Sequence, residues 1–173
     1  LLSSREIYIF LVCRYFIFVF NNFGHNYLYG NNFFSMVSDQ RKPLEGNLLY
    51  YLIYSVFINC VLCFLFFISI LSFHSFLDLS LDFYELLFLF LWLFGIMAST
   101  FFQHAFQSKK LHFLSGLSTG FIANFTILVL CFFFYFADSI DLKYILFAYG
   151  FAWVINFLVL FVLFFREFNF SLE

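Results

Sequence analysis

Four histidines are the first residues in this sequence that could carry chemistry, because two imidazoles that face one iron can hold a haem. They are His25, His74, His104 and His112. His74 and His104 lie at opposite ends of two successive apolar stretches, so at about 1.5 Å per residue they are roughly 30 Å apart across a membrane. These two therefore cannot share an iron. His104 with His112 remains a candidate pair, and the alternative is that these histidines bind water or lipid headgroups.

The cysteines offer a second candidate for chemistry. Cys60 and Cys63 form a Cys-x-x-Cys pattern, which suits zinc or redox chemistry when it lies on a loop or at a helix start. Here the pattern lies inside a continuous apolar stretch, with no second pair. We therefore expect the cysteines to be small apolar filler, and we expect no metal site.

Lysine, histidine and glutamate side chains at the ends of the apolar stretches could relay protons. On this hypothesis Lys109, Lys110, His104 and His112 lie near one end of a proton path, and Glu85 lies near the other end. The alternative is that these side chains only anchor helix ends at lipid headgroups. A self-contained pump or channel normally has ionisable groups within the membrane, and this sequence has no acidic residue or lysine in the middle of an apolar stretch. A free-standing transporter is also disfavoured, because inverted repeats and broken helices are not visible in the sequence.

Small residues mark one candidate for helix packing. Gly116 and Gly120 are four residues apart, and Ser115, Thr119 and Ala123 extend the small surface beside them. Such small-xxx-small faces let helix backbones approach closely in a membrane. The pattern predicts a tight helix contact through Gly116, Gly120 and Ala123.

Composition defines the class of protein that must position these residues. Of the 173 residues, 65% are hydrophobic and only 10% are charged, which is far from the roughly 25% charged residues of soluble domains. The formal net charge of −2 provides no basic surface for nucleic acid. The sequence therefore predicts an all-α, polytopic transmembrane helical bundle.

Four stretches are apolar over about the 20 residues that a spanning helix needs. They form an expected four-helix transmembrane domain over residues 48–173. The stretches are Leu48–Leu77, Tyr84–Phe106, Gly116–Ala137 and Tyr144–Phe165.

Residues 1–47 are expected to form a separate apolar helix followed by a polar loop. The apolar segment Ile7–Phe20 is short and has Arg14 at its centre, and the asparagine-rich residues that begin at Asn21 are expected to end it. An arginine in the middle of a membrane costs about 2.5–3.5 kcal/mol on insertion scales, so Arg14 would need a partner. The segment could lie at the membrane interface, pack on neighbouring subunits or form a fifth span.

The charges predict an orientation in the membrane. Lys109 and Arg166 follow the second and fourth stretches, and Arg41 precedes the first. Five of the ten acidic residues lie at the other ends: Asp78, Asp82, Glu85, Asp138 and Asp141. Because cationic residues stay on the side of synthesis, this pattern places the carboxyl terminus on the matrix side. The excess of Phe, at 35 residues, indicates AT-rich codons and favours an organelle genome, with an AT-rich nuclear genome as the alternative. We therefore expect a multi-pass protein of the mitochondrial inner membrane.

The junction between the second and third stretches resembles the antiporter-like membrane subunits of respiratory complex I, above all NADH dehydrogenase subunit 2. In that family a basic pair leads through apolar residues into a serine pair, an aliphatic residue, another small residue and a histidine. Lys109 and Lys110 match the basic pair, and Ser115, Leu117 and Ser118 match later positions. Gly116 and Thr119 stand where the family has the second serine and the histidine. The aromatic residues Tyr149, Trp153, Phe157 and Phe161 follow at every fourth position.

The resemblance implies a partial or split subunit of complex I with a structural role and a share in a proton path. Such a chain would be a non-catalytic subunit that binds no cofactor, packs against other membrane subunits and binds phospholipid such as cardiolipin. One alternative is a membrane anchor of succinate dehydrogenase, in which His112 and Gly116 would form a His-x-x-x-Gly motif. Others are a structural subunit of cytochrome oxidase or a stator subunit of ATP synthase, with Arg14 as the essential arginine.

Overall fold

In the computed structural model every described element is a helix, which confirms the all-helical fold class. The structure describes residues 2–28, 44–73, 81–108, 110–138 and 140–167. The helices are α1 (Ser4–Leu28), α2 (Leu44–Phe73), α3 (Phe83–Ser108), α4 (His112–Gly116), a π-helical turn (Leu117–Phe121), α5 (Ile122–Phe136) and α6 (Leu142–Glu167).

Three helical segments are long and apolar enough to cross a membrane. They are Phe83–Gln107, His112–Phe136 and Leu142–Glu167. They correspond to the second, third and fourth predicted stretches. In the first predicted stretch, Val56–Ile70 is a shorter apolar segment within α2, and residues 74–77 lie outside the described part of the chain. The fourth spanning helix therefore stays a prediction.

Helix α1 extends further than the sequence indicated. It continues through Asn21, Asn22 and Gly24 to Leu28, so the prediction that this polar stretch ends the helix at Asn21 was wrong. Asn and Gly disfavour a helix by no more than about 1 kcal/mol each, and each residue added to an existing helix gains one backbone hydrogen bond. The weak preference of these residues is therefore insufficient to stop it.

Contacts at the helix starts show that α1, α3 and α6 run in the same direction. The carboxylate of Glu6 in α1 accepts a hydrogen bond from the backbone N–H of Leu142, the first residue of α6, at 3.4 Å. The ammonium of Lys143 lies 3.9 Å from the carboxylate of Asp82, just before α3. The three helices therefore begin at one end of the bundle.

Helix α2 runs antiparallel to α3, since the later residues of α2 pack against the earlier residues of α3. Cys63 and Phe66 belong to the buried cluster that includes Leu89 and Trp92, whereas Val56 packs against the cluster near Phe101. The first cluster also contains Ile9, Cys13 and Ile17 of α1. Helices α1, α2, α3 and α6 thus share one core.

The third membrane-length segment is a broken helix. Gly120 has φ 104° and ψ 15°, so the backbone leaves the right-handed helical region inside the π-helical turn. The sequence pattern did not make this break visible. Only glycine adopts such a φ without strain, and an isolated glycine in a helical pattern does not reveal by itself which conformation it takes.

Candidate functional site

The contact between α3 and α6 is the closest helix packing in the described bundle, and two glycines create it. A Cβ built on Gly95 would lie 2.6 Å from the Cβ of Trp153, and one built on Gly150 would lie 2.7 Å from the carbonyl oxygen of Phe88. The two backbones are therefore too close for any side chain at these positions. Sequence analysis missed both glycines, although Gly95 and Ser99 have the small-xxx-small spacing that signals such a contact.

Two polar side chains are hydrogen-bonded across this contact. The amide nitrogen Nδ2 of Asn156 donates to Oγ of Ser99 at 2.8 Å, and Oγ of Ser99 donates to the carbonyl oxygen of Gly95 at 2.7 Å. Asn156 is 0% exposed and Ser99 is 1% exposed. Close approach of the backbones at Gly95 lets these short side chains meet between the two helices.

Asn59 of α2 lies at a similar depth. It is one turn from Val56 and one turn from Cys63, which pack against the two successive clusters along α3. Asn59 is 1% exposed, and neither its amide nitrogen nor its amide oxygen has a hydrogen-bond partner among the described groups. Oδ1 of Asn156 is buried in the same way. Buried polar groups are normally hydrogen-bonded, so these amides are suited to bind water inside the bundle.

Further buried polar side chains lie between this level and the end of α3. His104 is 6% exposed, and Oγ1 of Thr100 donates to the carbonyl oxygen of Ile96 at 3.0 Å. Ser115 and Ser118 are buried on α4 and the π-helical turn, both of which pack against α3. We call this set of residues the polar seam: Asn59, Ser99, Thr100, His104, Ser115, Ser118 and Asn156.

Of the predicted proton-path residues that the structure describes, His104 is the one that belongs to the polar seam. His104 was expected at the membrane surface and is instead buried in the bundle. Lys110 and His112 are exposed at the turn before α4 and at its first residue. Lys109 lies outside the described residues.

Glu85 serves as a helix cap at the other end of the bundle. Its carboxylate accepts a hydrogen bond from the backbone N–H of Asp82 at 2.7 Å, and the carboxylate of Asp82 accepts one from the backbone N–H of Glu85 at 2.7 Å. This reciprocal pair is a capping box, which satisfies backbone donors at the start of α3. This geometry gives Asp82 and Glu85 a structural role at the start of α3, and a role of Glu85 in proton transfer stays a prediction.

The predicted small-residue face is divided by the broken helix. Gly120 and Ala123 are buried, and a Cβ built on Gly120 would lie 2.8 Å from Cη2 of Trp153. Gly116 is exposed, and no described atom lies within 4 Å of a Cβ built there. The single face through Gly116, Gly120 and Ala123 was therefore wrong at Gly116, because the π-helical turn changes the angular relation between positions four residues apart.

The cysteines and histidines give no metal centre within the described part of the chain. Cys63 is buried and Cys60 is exposed on the outer face of α2, and no group of three His, Cys, Asp or Glu side chains could hold an ion. His74 lies outside the described residues, and for His25 only the helical position in α1 is described. His112 is exposed whereas His104 is buried, so the structure does not present them as a matched pair.

Chemically, the polar seam offers neutral hydroxyl and amide groups with one titratable side chain, His104. Such groups can hold and orient water, and a chain of hydrogen bonds through them can pass a proton without a fixed charge in the interior. No protein-family model, curated protein or solved structure matches this chain.

Proposed function

We propose that this chain is an integral membrane subunit of a mitochondrial respiratory complex, and specifically of complex I. We further propose that the polar seam lines part of a proton path. On this proposal the chain crosses the inner membrane with its carboxyl terminus in the matrix. It is a structural, non-catalytic subunit that packs against other membrane subunits and against phospholipid such as cardiolipin.

The observation that carries the proposal is the buried polar seam beside a broken helix in an otherwise apolar bundle. Burying an unpaired polar group costs about 1–3 kcal/mol, so both amide atoms of Asn59 and Oδ1 of Asn156 would destabilise the bundle unless they bind another group such as water. Irregular backbone at membrane depth is tolerated where protein buries it or where it lines a hydrated cavity. The turn at Gly120 lies against Trp153, next to the level of Asn156.

The junction motif adds support from the sequence. Among the described residues that match the complex I family, Ser115 and Ser118 have side chains that are buried against α3. The hydroxyl of Ser118 donates to the carbonyl oxygen of Ser115 at 2.6 Å. The serines at the matched positions thus face the interior of the bundle, where a proton path would run.

Comigration tests the assignment to a complex. Mitochondrial membranes are extracted with a mild detergent, the complexes are separated by native electrophoresis, and this chain is located by mass spectrometry. We expect it in the band with NADH dehydrogenase activity. Comigration with succinate dehydrogenase, together with a b-type haem spectrum assigned to this chain, would instead support the anchor alternative. Comigration with cytochrome oxidase or ATP synthase would also contradict the complex I assignment.

Substitution of the buried amide tests the proton path. Asn156→Leu removes a hydrogen-bonding group from the seam and keeps a side chain of similar size. We expect the variant complex to oxidise NADH with fewer protons translocated per electron. Phe132→Leu, on the exposed face of α5, is the matched control. An unchanged number of protons translocated per electron in Asn156→Leu would contradict a role of the polar seam in proton transfer.

A further inference from the structure

The outward face of α1 carries one charged side chain in the middle of an apolar stripe. Ile9, Cys13 and Ile17 are buried in the core, whereas Arg14, about 100° further around the helix than Cys13, is exposed on the flank of α1. The hydroxyl of Tyr149 lies within electrostatic range of its guanidinium. Exposed neighbours on the same face as Arg14 are Ile7, Leu11, Tyr15 and Phe18. This face is apolar enough for lipid or another helix except at Arg14.

Aromatic contacts fix the depth of Arg14. The ring of Phe10 stacks on Trp92 with centroids 5.8 Å apart and meets Tyr149 edge-on at 5.3 Å. Arg14 follows Phe10 by one turn, and α1 runs in the same direction as α3 and α6. It therefore lies near the level of Ile96 and Trp153, which are close to the midpoints of the 26-residue helices α3 and α6.

The part of the chain that the structure describes supplies no carboxylate at that depth. Among the described residues no acidic side chain is within ion-pair distance of Arg14, and the acidic residues with described side chains lie at or beyond helix ends. They are Glu6, Asp82, Glu85, Asp138, Asp141 and Glu167. A second copy alongside this one would present these described carboxylates only at its helix ends. Arginines snorkel to headgroups from near helix ends, whereas at the bilayer centre they pair with another group or face water.

We propose that the outward face of α1 is a docking surface for a transmembrane helix of a different polypeptide that presents an Asp or Glu carboxylate to Arg14. The apolar stripe packs against the partner helix, and the guanidinium forms a bidentate ion pair with the carboxylate. The charge complementarity selects the partner and its register. This inference rests on the membrane insertion proposed above and is independent of the assignment to complex I.

Photocrosslinking in the native membrane tests the docking surface. Benzoylphenylalanine replaces Tyr15, which is 67% exposed beside Arg14, and in a matched control it replaces Phe132, which is 64% exposed on α5. Adducts are mapped by mass spectrometry. We expect the Tyr15 probe to react with one transmembrane segment of another polypeptide that has an Asp or Glu within two turns of the adduct. The Phe132 probe should not reach that segment.

Substitutions of Arg14 test whether formation of the adduct depends on the charge of this side chain. With the probe at Tyr15, Arg14→Leu should lower the adduct yield at least tenfold, and Arg14→Lys should retain a large part of it. Adducts with lipid alone, with a second copy of this chain or with a helix that lacks a carboxylate would each overturn the proposal. So would an unchanged yield in Arg14→Leu.

Thermal unfolding of the purified chain in lipid nanodiscs separates docking from a role in this chain's own fold. Because Arg14 lies outside the core, we expect the Tm of Arg14→Leu to equal or exceed that of the unchanged chain, and a lower Tm would overturn the proposal. Release of the chain from membranes by carbonate would refute membrane insertion and this proposal together. A carboxylate-bearing partner in a non-respiratory complex would refute only the proposed function.

Discussion

Trp153 is the side chain around which the centre of the bundle is arranged. Its Cβ and backbone lie against Gly95, and the far edge of its indole lies against Gly120. One residue of α6 therefore contacts both the close α3–α6 crossing and the break in the third segment. The absence of a side chain leaves room for the backbone and Cβ of Trp153 at Gly95 and for the edge of its indole at Gly120.

The two glycines of the junction predict opposite responses to the same substitution. Gly120→Ala should lower the free energy of unfolding by about 2–4 kcal/mol, since an alanine is strained at φ 104° and its Cβ would overlap Trp153. Gly116→Ala adds a methyl group in open space and should change the stability by at most about 1 kcal/mol, with the stabilising sign. Detergent unfolding followed by tryptophan fluorescence measures both. Equal losses would contradict the conformation of the broken helix.

The hydrogen bond between Ser99 and Asn156 predicts a measurable coupling. In a double-mutant cycle of Ser99→Ala and Asn156→Leu, we expect an interaction energy of about 0.6–1.7 kcal/mol, the range of hydrogen bonds between membrane helices. Thr126→Ala with Asn156→Leu is the control, because Oγ1 of Thr126 donates to the carbonyl oxygen of Ile122 in its own helix. Additive effects of Ser99→Ala and Asn156→Leu would show that this contact contributes nothing.

At the scale of elements, the turn between α3 and α4 has a helix-terminating geometry at Lys110. The backbone N–H of Leu111 donates to the carbonyl oxygen of Phe106, and the backbone N–H of Lys110 donates to the carbonyl oxygen of Gln107. Lys110 itself has φ 59°. This is a Schellman motif, in which the left-handed position is usually glycine. Backbone geometry therefore restricts Lys110, whatever the role of its charge.

The free energy of unfolding of variants at Lys110 should depend on how readily each new residue adopts a positive φ. Lys110→Gly relieves the left-handed strain and should raise the free energy of unfolding by up to about 1 kcal/mol, whereas Lys110→Val should lower it by about as much or more, because β-branched residues disfavour positive φ. The same unfolding assay measures both variants. Identical stabilities would argue against the Schellman turn.

The start of α1 predicts a pH dependence. The hydroxyl of Ser3 first, and then its backbone N–H, hold the pKa of the Glu6 carboxyl below its ordinary value, and a hydrogen bond from the backbone N–H of Leu142 adds to this. Because the pKa is lower in the folded state, the stabilisation is complete above the ordinary glutamate pKa of about 4.3 and is lost as the pH falls through the folded value. At pH 7 the backbone amide of Leu142 should therefore exchange its hydrogen more slowly in the unchanged chain than in the Glu6→Gln variant. The difference should vanish in strong acid, and protection independent of residue 6 at pH 7 would contradict the contact.

At the scale of the whole molecule, the helix directions and the charged turns together predict the orientation. In mitoplasts, His112→Cys should react with a membrane-impermeant maleimide only after the matrix side is opened, whereas Ala137→Cys should react from the outside. The two residues are exposed at opposite ends of the broken helix. Labelling of His112→Cys from the intermembrane side would reverse the proposed orientation.

The sequence by itself determined that the chain is all-helical and where its three membrane-length segments lie. Those features follow from local properties: runs of apolar residues without proline, interrupted by charged turns. It also indicated the polar residues within the helices, such as Ser99 and Asn156, but not which of them meet.

Only the tertiary structure decided that α1 runs beside α3 and α6, that the helices approach most closely at Gly95 and Gly150, and that the third segment breaks at Gly120. These features depend on contacts between residues distant in the chain, such as the hydrogen bond between Asn156 and Ser99, which are 57 residues apart. Glycine at each of these positions allows several conformations and neighbours. The packing of Trp153 against Gly95 and Gly120, and of Phe88 against Gly150, selects one of them.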